Sequence, residues 1–370
     1  VMYVVILNVI GILLIGSAKP SVQSKQILGM IAGLTIMVML SLIDYNFILK
    51  FSWLIYFFMI GVLLLVMFAG DDAGGAQRWF EIGSFRFQPS ELAKILIILF
   101  FAYFFMKHEE KINTPKVLIL SFVLAGIPLA LILKQPDLST TIVTALIFAA
   151  LLFVAGLSYK IVTGVLAVSI PSAVIMFTLL IQDKLPFIKS YQVTRVMAWL
   201  YPDDYPQASM QSRYSMYAIG FGGILGRGLG RGTMKYYLPF STNDFIFGVI
   251  GEELGLVGCG LVVFLFVYQV WRIFTVAQHA KDKLGSYMAF GVGIHVALQV
   301  ILNIGVATGV LPNTGISLPY ISYGGTALFL QLCEMGIVLN ISRQIPGRRV
   351  RIGDSSQKSE HEEHRQIHAA

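Results

Sequence analysis

Ten apolar stretches, separated by short polar connections, constrain the fold of this chain more than any other feature of its sequence. A helix needs about 20 apolar residues to cross the hydrocarbon of a bilayer. By that criterion we predict ten spans, with the limits 1–17, 26–43, 48–69, 91–106, 117–133, 138–157, 160–181, 244–271, 285–309 and 325–342. Because 56% of the 370 residues are hydrophobic and only 13% are charged, a soluble globular domain is excluded. We therefore predict an all-α polytopic membrane protein.

Lysine and arginine in the connections predict the orientation of the spans. They are concentrated after the second, fourth and eighth spans and in the C-terminal segment. The positive-inside rule places all of these on one side if both termini are cytoplasmic, so residues 182–243 form a long extracytoplasmic loop between helices 7 and 8. Residues 1–345 are then one transmembrane domain, and the polar residues 346–370 form a disordered cytoplasmic tail. Loop topology accounts for the net charge of +7, and we predict no nucleic-acid binding.

The segment 226–258 combines the features that point most directly to function. It begins with glycine at every second position, which disfavours a helix because glycine loses the most backbone entropy on ordering. It carries Arg227, Arg231 and Lys235, and it turns apolar at a single carboxylate, Asp244. Asp244 is therefore predicted to lie where a basic polar loop meets the bilayer. A charge at that position is costly enough to indicate a function.

Further charged residues lie inside the predicted spans. Glu91 and Lys94 are three residues apart and share one face of a helix, so they form either a structural ion pair or part of a substrate pathway, and the two roles can coexist. At 100° per residue Glu252 falls about 80° from Asp244 and Glu253 about 180° away. Only Glu252 is therefore expected to line the same groove as Asp244.

Polar stripes run along the last two predicted helices. His295, Gln299 and Asn303 follow one another at four-residue steps, and Gln331 and Glu334 are three residues apart. Residues at these spacings lie on one face of a helix. We predict that the stripes form hydrogen bonds between helices, in preference to lining a pathway.

The basic residues of the long outer loop allow two interpretations. They form either a solvated surface in contact with anionic lipid headgroups or a binding site for an anionic ligand, held by arginines and exposed backbone amides. In the loop 70–90, Arg78 and Trp79 allow the same choice between an interfacial segment and a site for a phosphate and a sugar. Together these features suit the handling of an amphiphile with an anionic, polar head, and leave open whether the protein transports it or modifies it.

Six motifs in order give the chain a specific resemblance. It resembles the SEDS family (shape, elongation, division and sporulation), whose members include RodA, FtsW and SpoVE. The motifs are GAQRWF (75–80), FQPSELAK (87–94), KQPDLST (134–140), MQSRYSMYAIGFGGILGRGLG (210–230), NDFIFGVIGEELG (243–255) and NIGVATGVLPNTGISLPYISYGGTAL (303–328).

The resemblance implies a peptidoglycan glycosyltransferase of ten transmembrane helices in the bacterial plasma membrane. Such proteins join lipid II units into glycan strands on the outer face and work with a class B penicillin-binding protein as transpeptidase. The family's essential aspartate falls on Asp244. Other family positions associated with activity or with the cavity fall on Arg78, Trp79, Glu91, Lys94 and Asp137.

The chain departs from the family pattern close to Asp244. Phe240 stands where the family commonly has glutamate, and Asn243 where it commonly has threonine. Ser139 and Thr326 replace a common glycine and a common serine. The loss of a neighbouring carboxylate argues against a two-carboxylate or metal-bridged site. It leaves open a paralogue with altered activity.

The expected reaction is inverting glycosyl transfer from a lipid pyrophosphate sugar, with Asp244 as general base. The candidates for stabilising the pyrophosphate are Arg78, Lys94, Arg231 and Lys235. A divalent cation (Mg or Mn) could assist, although no ligand set is evident in the sequence. Two other functions stay open: a transporter that moves lipid II across the bilayer, and a catalytically idle scaffold for a penicillin-binding protein.

Overall fold

The computed structural model describes residues 1–72, 77–82, 85–181 and 190–345. These residues form thirteen α-helices: α1 (Met2–Ala18), α2 (Pro20–Leu42), α3 (Tyr45–Leu49), α4 (Ser52–Ala69), α5 (Pro89–Lys107), α6 (Pro115–Lys134), α7 (Leu138–Val154), α8 (Tyr159–Ile181), α9 (Ser190–Leu200), α10 (Pro206–Gly222), α11 (Ile246–Gln278), α12 (Lys283–Ala307) and α13 (Gly325–Arg343). Three short strands, β1 (Asp71–Asp72), β2 (Gln77–Ile82) and β3 (Phe85–Phe87), lie between α4 and α5.

Ten of these helices correspond to the ten predicted spans. Eight of them are long and apolar enough to cross a membrane: α2, α4, α5, α6, α8, α11, α12 and α13. The other two, α1 and α7, are apolar helices of 17 residues each. The prediction of an all-helical polytopic membrane fold is confirmed.

The centre of the bundle is α5, which packs against α4, α7 and α12. Its buried face is strongly aromatic and includes Phe100, Phe101 and Phe105, each at most 1% exposed. By contrast α8 packs against α9, and none of its described side chains is buried. The bundle therefore has a tightly packed interior around α5, with α8 at its periphery.

Two regions predicted as loops contain regular structure. In the 70–90 region β1, β2 and β3 form a small antiparallel sheet in the order β1-β2-β3, with Phe80 paired to Phe87. The described part of 182–243, the long connection predicted between helices 7 and 8, contains α9, α10 and a 3₁₀ turn at Met234–Tyr236. Residues 182–189 and the predicted tail at 346–370 lie outside the described residues.

The helix α11 is broken at Gly255. This residue has φ +67° and ψ −166°, a backbone conformation that is essentially restricted to glycine. In an unbroken helix the N–H groups of Leu256 and Val257 would donate to the carbonyls of Glu252 and Glu253. The break removes both bonds in a part of the helix where lipid cannot replace them.

Residues 223–235, which we name the glycine-rich segment, supply the missing partners. Four of its glycines, Gly223, Gly226, Gly228 and Gly230, have positive φ, which lets the backbone follow the broken helix closely. Four backbone hydrogen bonds join the two: Arg227 N to Glu252 O (3.0 Å), Gly228 N to Glu253 O (3.0 Å), Leu256 N to Gly223 O (2.9 Å) and Val257 N to Ile224 O (3.1 Å). The segment therefore satisfies both carbonyls and both amides that the break exposes.

Replacing Gly255 with alanine should destabilise the protein. An added Cβ would lie 2.3 Å from the Gly226 nitrogen and 2.5 Å from the Ile224 oxygen. The backbone conformation alone costs a non-glycine residue about 1–3 kcal/mol. We expect Gly255→Ala to lower the apparent Tm of the detergent-solubilised protein by several degrees.

Gly260 provides the matched control for this prediction. It lies in the same helix, and an added Cβ would meet no atom within 4 Å. Alanine is favoured over glycine in a helix by about 1 kcal/mol, so Gly260→Ala should leave the apparent Tm unchanged or slightly raised. Equal melting temperatures of the two variants would contradict the account of the break.

Candidate active site

Asp244 lies two residues before the start of α11, and its side chain is half-buried. The Asn303 side-chain amide, on α12, donates one hydrogen bond to the Asp244 carbonyl and another to the Ile316 carbonyl, each 2.7 Å long. A primary amide carries two N–H donors, and both are used here. Asn303 therefore ties Asp244 to the connection between α12 and α13.

The turn before Asp244 is fixed by that same connection. Asn243 donates from its side chain to the Tyr323 carbonyl (2.9 Å), and its own carbonyl accepts from the Ser322 hydroxyl (2.7 Å). The Tyr323 N–H donates to the Thr242 carbonyl (2.7 Å). Phe240, at the start of the turn, has φ +57°, which is uncommon for a bulky side chain. These contacts set the position of Asp244 without using its carboxylate.

The Asp244 carboxylate accepts no hydrogen bond and forms no ion pair within the described parts of the chain. Gly315, at φ +73°, comes so close that an added Cβ would lie 3.7 Å from Asp244 Oδ2. Burial raises the pKa of the Asp244 carboxyl to about 6, and the positive charge of Arg195 acts in the opposite direction. A carboxylate with that pKa is ionised at neutral pH and still basic enough to accept a proton.

A cleft that we name the arginine cleft lies between α9, α10 and the connection after α12. Its lining includes Arg195, Trp199, Ser209, Ser212, Arg213 and Asn313. Trp199 donates from its indole nitrogen to the Gly309 carbonyl (3.0 Å), which holds α9 against the end of α12. Asp244 is not among the residues that line the cleft, but it lies within electrostatic reach of one of them, Arg195. The cleft offers two guanidinium groups to an anionic ligand.

Through Tyr191, Arg195 connects this cleft to Pro136, between α6 and α7, and to Arg78 in β2. Its guanidinium lies over the Tyr191 ring, 5.7 Å from the centroid. The Tyr191 hydroxyl donates to the Pro136 carbonyl (2.6 Å) and accepts from Arg78 (3.4 Å), and Arg78 also donates to that carbonyl. The structure thus brings Arg78 into one chain of contacts with Arg195, while Trp79 is half-buried beside it in β2.

Asp137 begins α7 and holds it against the start of α5. Its Oδ1 accepts from the Thr140 N–H (3.2 Å), which is an N-cap hydrogen bond, and its Oδ2 accepts from the Gln88 side chain (3.1 Å). Gln88 directly precedes α5, whose first turns carry Glu91 and Lys94. The two oxygens of Asp137 are therefore used for structure.

Glu91 and Lys94 form the predicted ion pair. Lys94 Nζ lies 2.8 Å from Glu91 Oε1, and the side chains are 2% and 16% exposed. The pair is part of the interior at the same end of the bundle as Asp137. This arrangement confirms the ion pair and leaves the substrate-binding role of both residues a prediction.

A family model described as "Cell cycle protein" (FtsW/RodA/SpoVE) matches residues 1–346. The chain belongs to the FtsW/RodA/SpoVE family. A relative named "Probable peptidoglycan glycosyltransferase FtsW" from Geobacter sp. (strain M18) is 34% identical over 367 residues, which are 94% of this chain and 96% of the relative. "Stage V sporulation protein E" of Bacillus subtilis (strain 168) is 36% identical and covers 80% of this chain and 78% of its own length.

Solved structures agree with this family assignment. A chain from a structure described as "Structural coordination of polymerization and crosslinking by a peptidoglycan synthase complex" has a TM-score of 0.78 and 28% identity, covering 94% of this chain and 97% of that one. The RodA protein of Thermus thermophilus has a TM-score of 0.68 and 25% identity, covering 93% and 96%. The predicted resemblance is confirmed, and the predicted enzyme class agrees with the names of the relatives.

The two remaining predicted ligands of this FtsW/RodA/SpoVE protein are placed differently. Arg231 is exposed. Lys235 is enclosed: its ammonium donates to Glu253 Oε1 (2.7 Å) and to the Ser17 hydroxyl (2.6 Å), and both side chains of the ion pair are 0% exposed. The Lys235 ammonium is thus used for a buried ion pair in this structure, and its role as a ligand of the pyrophosphate stays a prediction.

The expectation that Glu252 lines the groove of Asp244 was wrong, because Glu252 is fully buried. The prediction for the polar stripes is confirmed. The His295 ring nitrogen Nδ1 lies 2.7 Å from Glu334 Oε1, and Gln331 donates to Gln299 Oε1 (3.3 Å), so α12 and α13 are joined by interhelical hydrogen bonds.

Arg195 and Gly315 were not predicted as site residues, although the sequence around each has a pattern that indicates its local role. Tyr191 and Arg195 are four residues apart, which predicts a stacked pair on one face of a short helix. Gly315 lies in a run rich in proline and glycine, which is typical of backbone that approaches another group closely. Neither pattern indicates that Gly315 lies close to Asp244 or that the charge of Arg195 acts on it.

A divalent cation was predicted as a possible assistant of the reaction. Over the described ranges, no group of three or more His, Cys, Asp or Glu side chains could hold a metal ion. The cation therefore stays a prediction, and no step derived below depends on it.

The proton affinity of Asp244 should respond to Arg195 and not to Arg213. We expect the carboxyl of Asp244 to titrate with a midpoint of about 6, and Arg195→Gln to raise that midpoint, because a positive charge favours the ionised form. The measurement is ¹³C NMR of the detergent-solubilised protein labelled at aspartate. The Asp244 signal is identified by its absence from Asp244→Asn.

Arg213→Gln is the matched control, since Arg213 lines the same cleft but is paired with Asp203 (2.8 Å). It should leave the Asp244 midpoint unchanged. Equal midpoints in wild type and Arg195→Gln would show that Arg195 exerts no electrostatic effect on Asp244.

Proposed function

We propose that this protein is a peptidoglycan glycosyltransferase that polymerises lipid II on the outer face of the bacterial plasma membrane. The observation that carries the proposal is the Asp244 carboxylate, which is partly desolvated, unpaired within the described residues, and within electrostatic reach of Arg195 in the arginine cleft. Desolvation of a carboxylate without a partner is costly, so such a group indicates a function. The family of the chain and the names of its relatives support the same conclusion.

The reaction we propose is one displacement with inversion. The hydroxyl oxygen of an acceptor sugar attacks the anomeric carbon of a lipid-linked donor, and the bond from that carbon to the pyrophosphate breaks. Asp244 accepts the hydroxyl proton, and the lipid pyrophosphate departs with the bonding electron pair. Because pyrophosphate is a good leaving group, one base suffices, in contrast to glycoside hydrolysis with its two carboxylates.

Arg195 is the residue that we propose for the leaving pyrophosphate. It is exposed in the arginine cleft and held in place by the Tyr191 ring, and its charge reaches the Asp244 carboxylate. Positive charge at that point stabilises the negative charge that develops on the departing phosphate. Arg78 lies in the same chain of contacts, and Arg231 is exposed, so both stay candidates for binding the anionic head.

The orientation and the partner belong to the same proposal. The distribution of lysine and arginine supports cytoplasmic termini, which place Asp244 and the arginine cleft on the outer side. A structure that this chain resembles is of a peptidoglycan synthase complex that couples polymerization with crosslinking. We infer a class B penicillin-binding protein as the partner that supplies the crosslinking activity.

Replacing the proposed base should abolish polymer formation. A general base contributes about 10²–10⁴-fold to a rate, so Asp244→Asn should form glycan strands from purified lipid II at least about 100-fold more slowly than wild type. Asp204→Asn, which removes an exposed carboxylate from the same outer segment, is the control and should retain the wild-type rate.

The same assay separates an enzyme from a transporter. In detergent there are no two compartments, so strand formation by the wild-type protein reports chemistry and not transport. Rapid polymerisation by Asp244→Asn would reject the base. Absence of polymer from the wild-type protein, with its partner present, would favour a scaffold, a function that Phe240 in place of the usual glutamate keeps open.

The proposed role of Arg195 predicts a graded loss. Removing one preorganised donor of charge stabilisation typically costs about 10²–10³-fold in kcat, and we expect Arg195→Gln to fall in that range. Arg195→Lys should retain part of the rate, because it keeps the charge but not the planar guanidinium.

Arg227→Gln is the control for the loss of one outer cation, because the Arg227 side chain bonds to Phe221 at the end of α10 and to Thr233 in the glycine-rich segment. Its turnover should be close to that of wild type. Equal turnover by Arg195→Gln and Arg227→Gln would remove Arg195 from the mechanism.

A further inference from the structure

Two adjacent carboxylates of α11, Glu252 and Glu253, are buried where the helix breaks, and neither is used by the mechanism above. Glu252 is 0% exposed. Its Oε1 accepts from the N–H groups of Thr233 (2.6 Å) and Met234 (2.8 Å), and its Oε2 accepts from the N–H of Lys235 (3.3 Å). One carboxylate thus holds three successive backbone amides of the glycine-rich segment.

Glu253 holds the same segment by a different chemistry. Its Oε1 accepts from the Lys235 ammonium (2.7 Å) and from the Ser17 hydroxyl (2.5 Å), and its Oε2 accepts from the Gly230 N–H (3.1 Å). Ser17 belongs to the last turn of α1, so this cluster joins α1, α11 and the glycine-rich segment. Both carboxylates therefore have all of their oxygens satisfied.

Stability alone does not explain why this contact is built from charges. Removing two carboxylates and an ammonium from water costs several kcal/mol per ion, and replacing a buried ion pair by apolar residues of similar volume is often neutral or stabilising. Hydrogen bonds to specific backbone amides, in contrast, fix the register of the segment against the helix. The arrangement therefore indicates that the charged cluster serves to position the glycine-rich segment.

The segment that these carboxylates hold leads directly to Asp244. Lys235 and Glu253 are joined at their side chains, and the chain between them closes into a loop that contains Asp244. One arm of that loop is the turn before Asp244, and the other is the half-helix from Ile246 to the break at Gly255. A shift at the closure of the loop moves Asp244.

We propose that Glu252 and Glu253 are positioning residues for glycosyl transfer: they lock the glycine-rich segment into the break of α11 and thereby fix the Asp244 carboxylate beside the arginine cleft. The inference rests on the proposed function for its kinetic test. It also has a test that needs no turnover, because the environment of Asp244 depends on the same lock. A loosened loop admits water to Asp244 and lowers the cost of its ionised form.

The decisive variant replaces both members of the ion pair, Lys235→Met/Glu253→Met. Replacing both removes the two paired charges together, and Glu252 keeps its three backbone N–H donors, so the fold should survive and the apparent Tm should stay close to that of wild type. Displacing a catalytic group by about 1 Å can cost about 10²-fold, so we expect kcat for lipid II to fall by about 10–100-fold with KM changed by less than about twofold. The titration midpoint of Asp244 should move below that of wild type.

The matched control is the exposed pair of Lys283 and Glu109, which lies away from the glycine-rich segment. Lys283→Met/Glu109→Met removes one ammonium and one carboxylate, as the test variant does, and exposed pairs contribute little to stability. It should leave kcat, KM and the Asp244 midpoint unchanged. Arg195, the charged group that acts on Asp244 against burial, is retained in both double variants.

A second variant covers the case in which the double variant does not fold. Glu252→Gln keeps the size of the side chain and the Lys235 ion pair, but it places an N–H group against backbone amides that need an acceptor. It should lower kcat and the Asp244 midpoint in the same direction.

The outcomes separate the two proposals. A folded test variant with wild-type kcat and an unchanged Asp244 midpoint would overturn the positioning role. Absence of polymer from the wild-type protein would overturn the proposed function alone, and the Asp244 midpoint in the variants would still decide the positioning role.

Discussion

A backbone amide or carbonyl inside a bilayer has no water to bond, and the break in α11 creates four such groups at once. The glycine-rich segment satisfies all of them, so the break and the segment cannot exist separately. The backbone hydrogen bonds form only when the glycine-rich segment is aligned with the break in α11. The carboxylates of Glu252 and Glu253 add side-chain hydrogen bonds that fix the same alignment. The result is a half-helix of fixed position, and Asp244 lies directly before its N-terminal end.

The chemistry proposed for Asp244 depends on a balance between burial and charge. Burial alone would favour the protonated form, which cannot act as a base. The positive charge of the Arg195 guanidinium, which lines the arginine cleft, offsets part of this effect. Asn303 and Gly315 lie close to Asp244, but neither donates a hydrogen bond to its carboxylate. Such a hydrogen bond would lower the basicity of the carboxylate. Among the described residues the Asp244 carboxylate therefore has no hydrogen-bond donor and is available to accept a proton.

The spans and the position of Asp244 could be predicted because both depend on hydropathy along the chain, which is a local property. The orientation of Glu252 could not, since the angular projection treated Asp244 as part of a continuous helix. The helix in fact begins two residues later, at Ile246, and breaks at Gly255. The partner of Lys235 and the proximity of Arg195 to Asp244 arise from the packing of segments that are distant in sequence. The residue pattern within one segment does not indicate a contact with another, distant segment.

The cations of this protein also show why counting charge in a loop does not locate an anion site. Lys235 neutralises a buried carboxylate, and moving it to a substrate would leave Glu253 unpaired at a cost of about 3–5 kcal/mol. Arg195 is exposed and stacked on a neutral ring, so its charge is available. If a pyrophosphate binds there as proposed, it screens the charge that Asp244 experiences. The affinity of the base for a proton then rises when the donor substrate is in place, which is when the acceptor hydroxyl must be deprotonated.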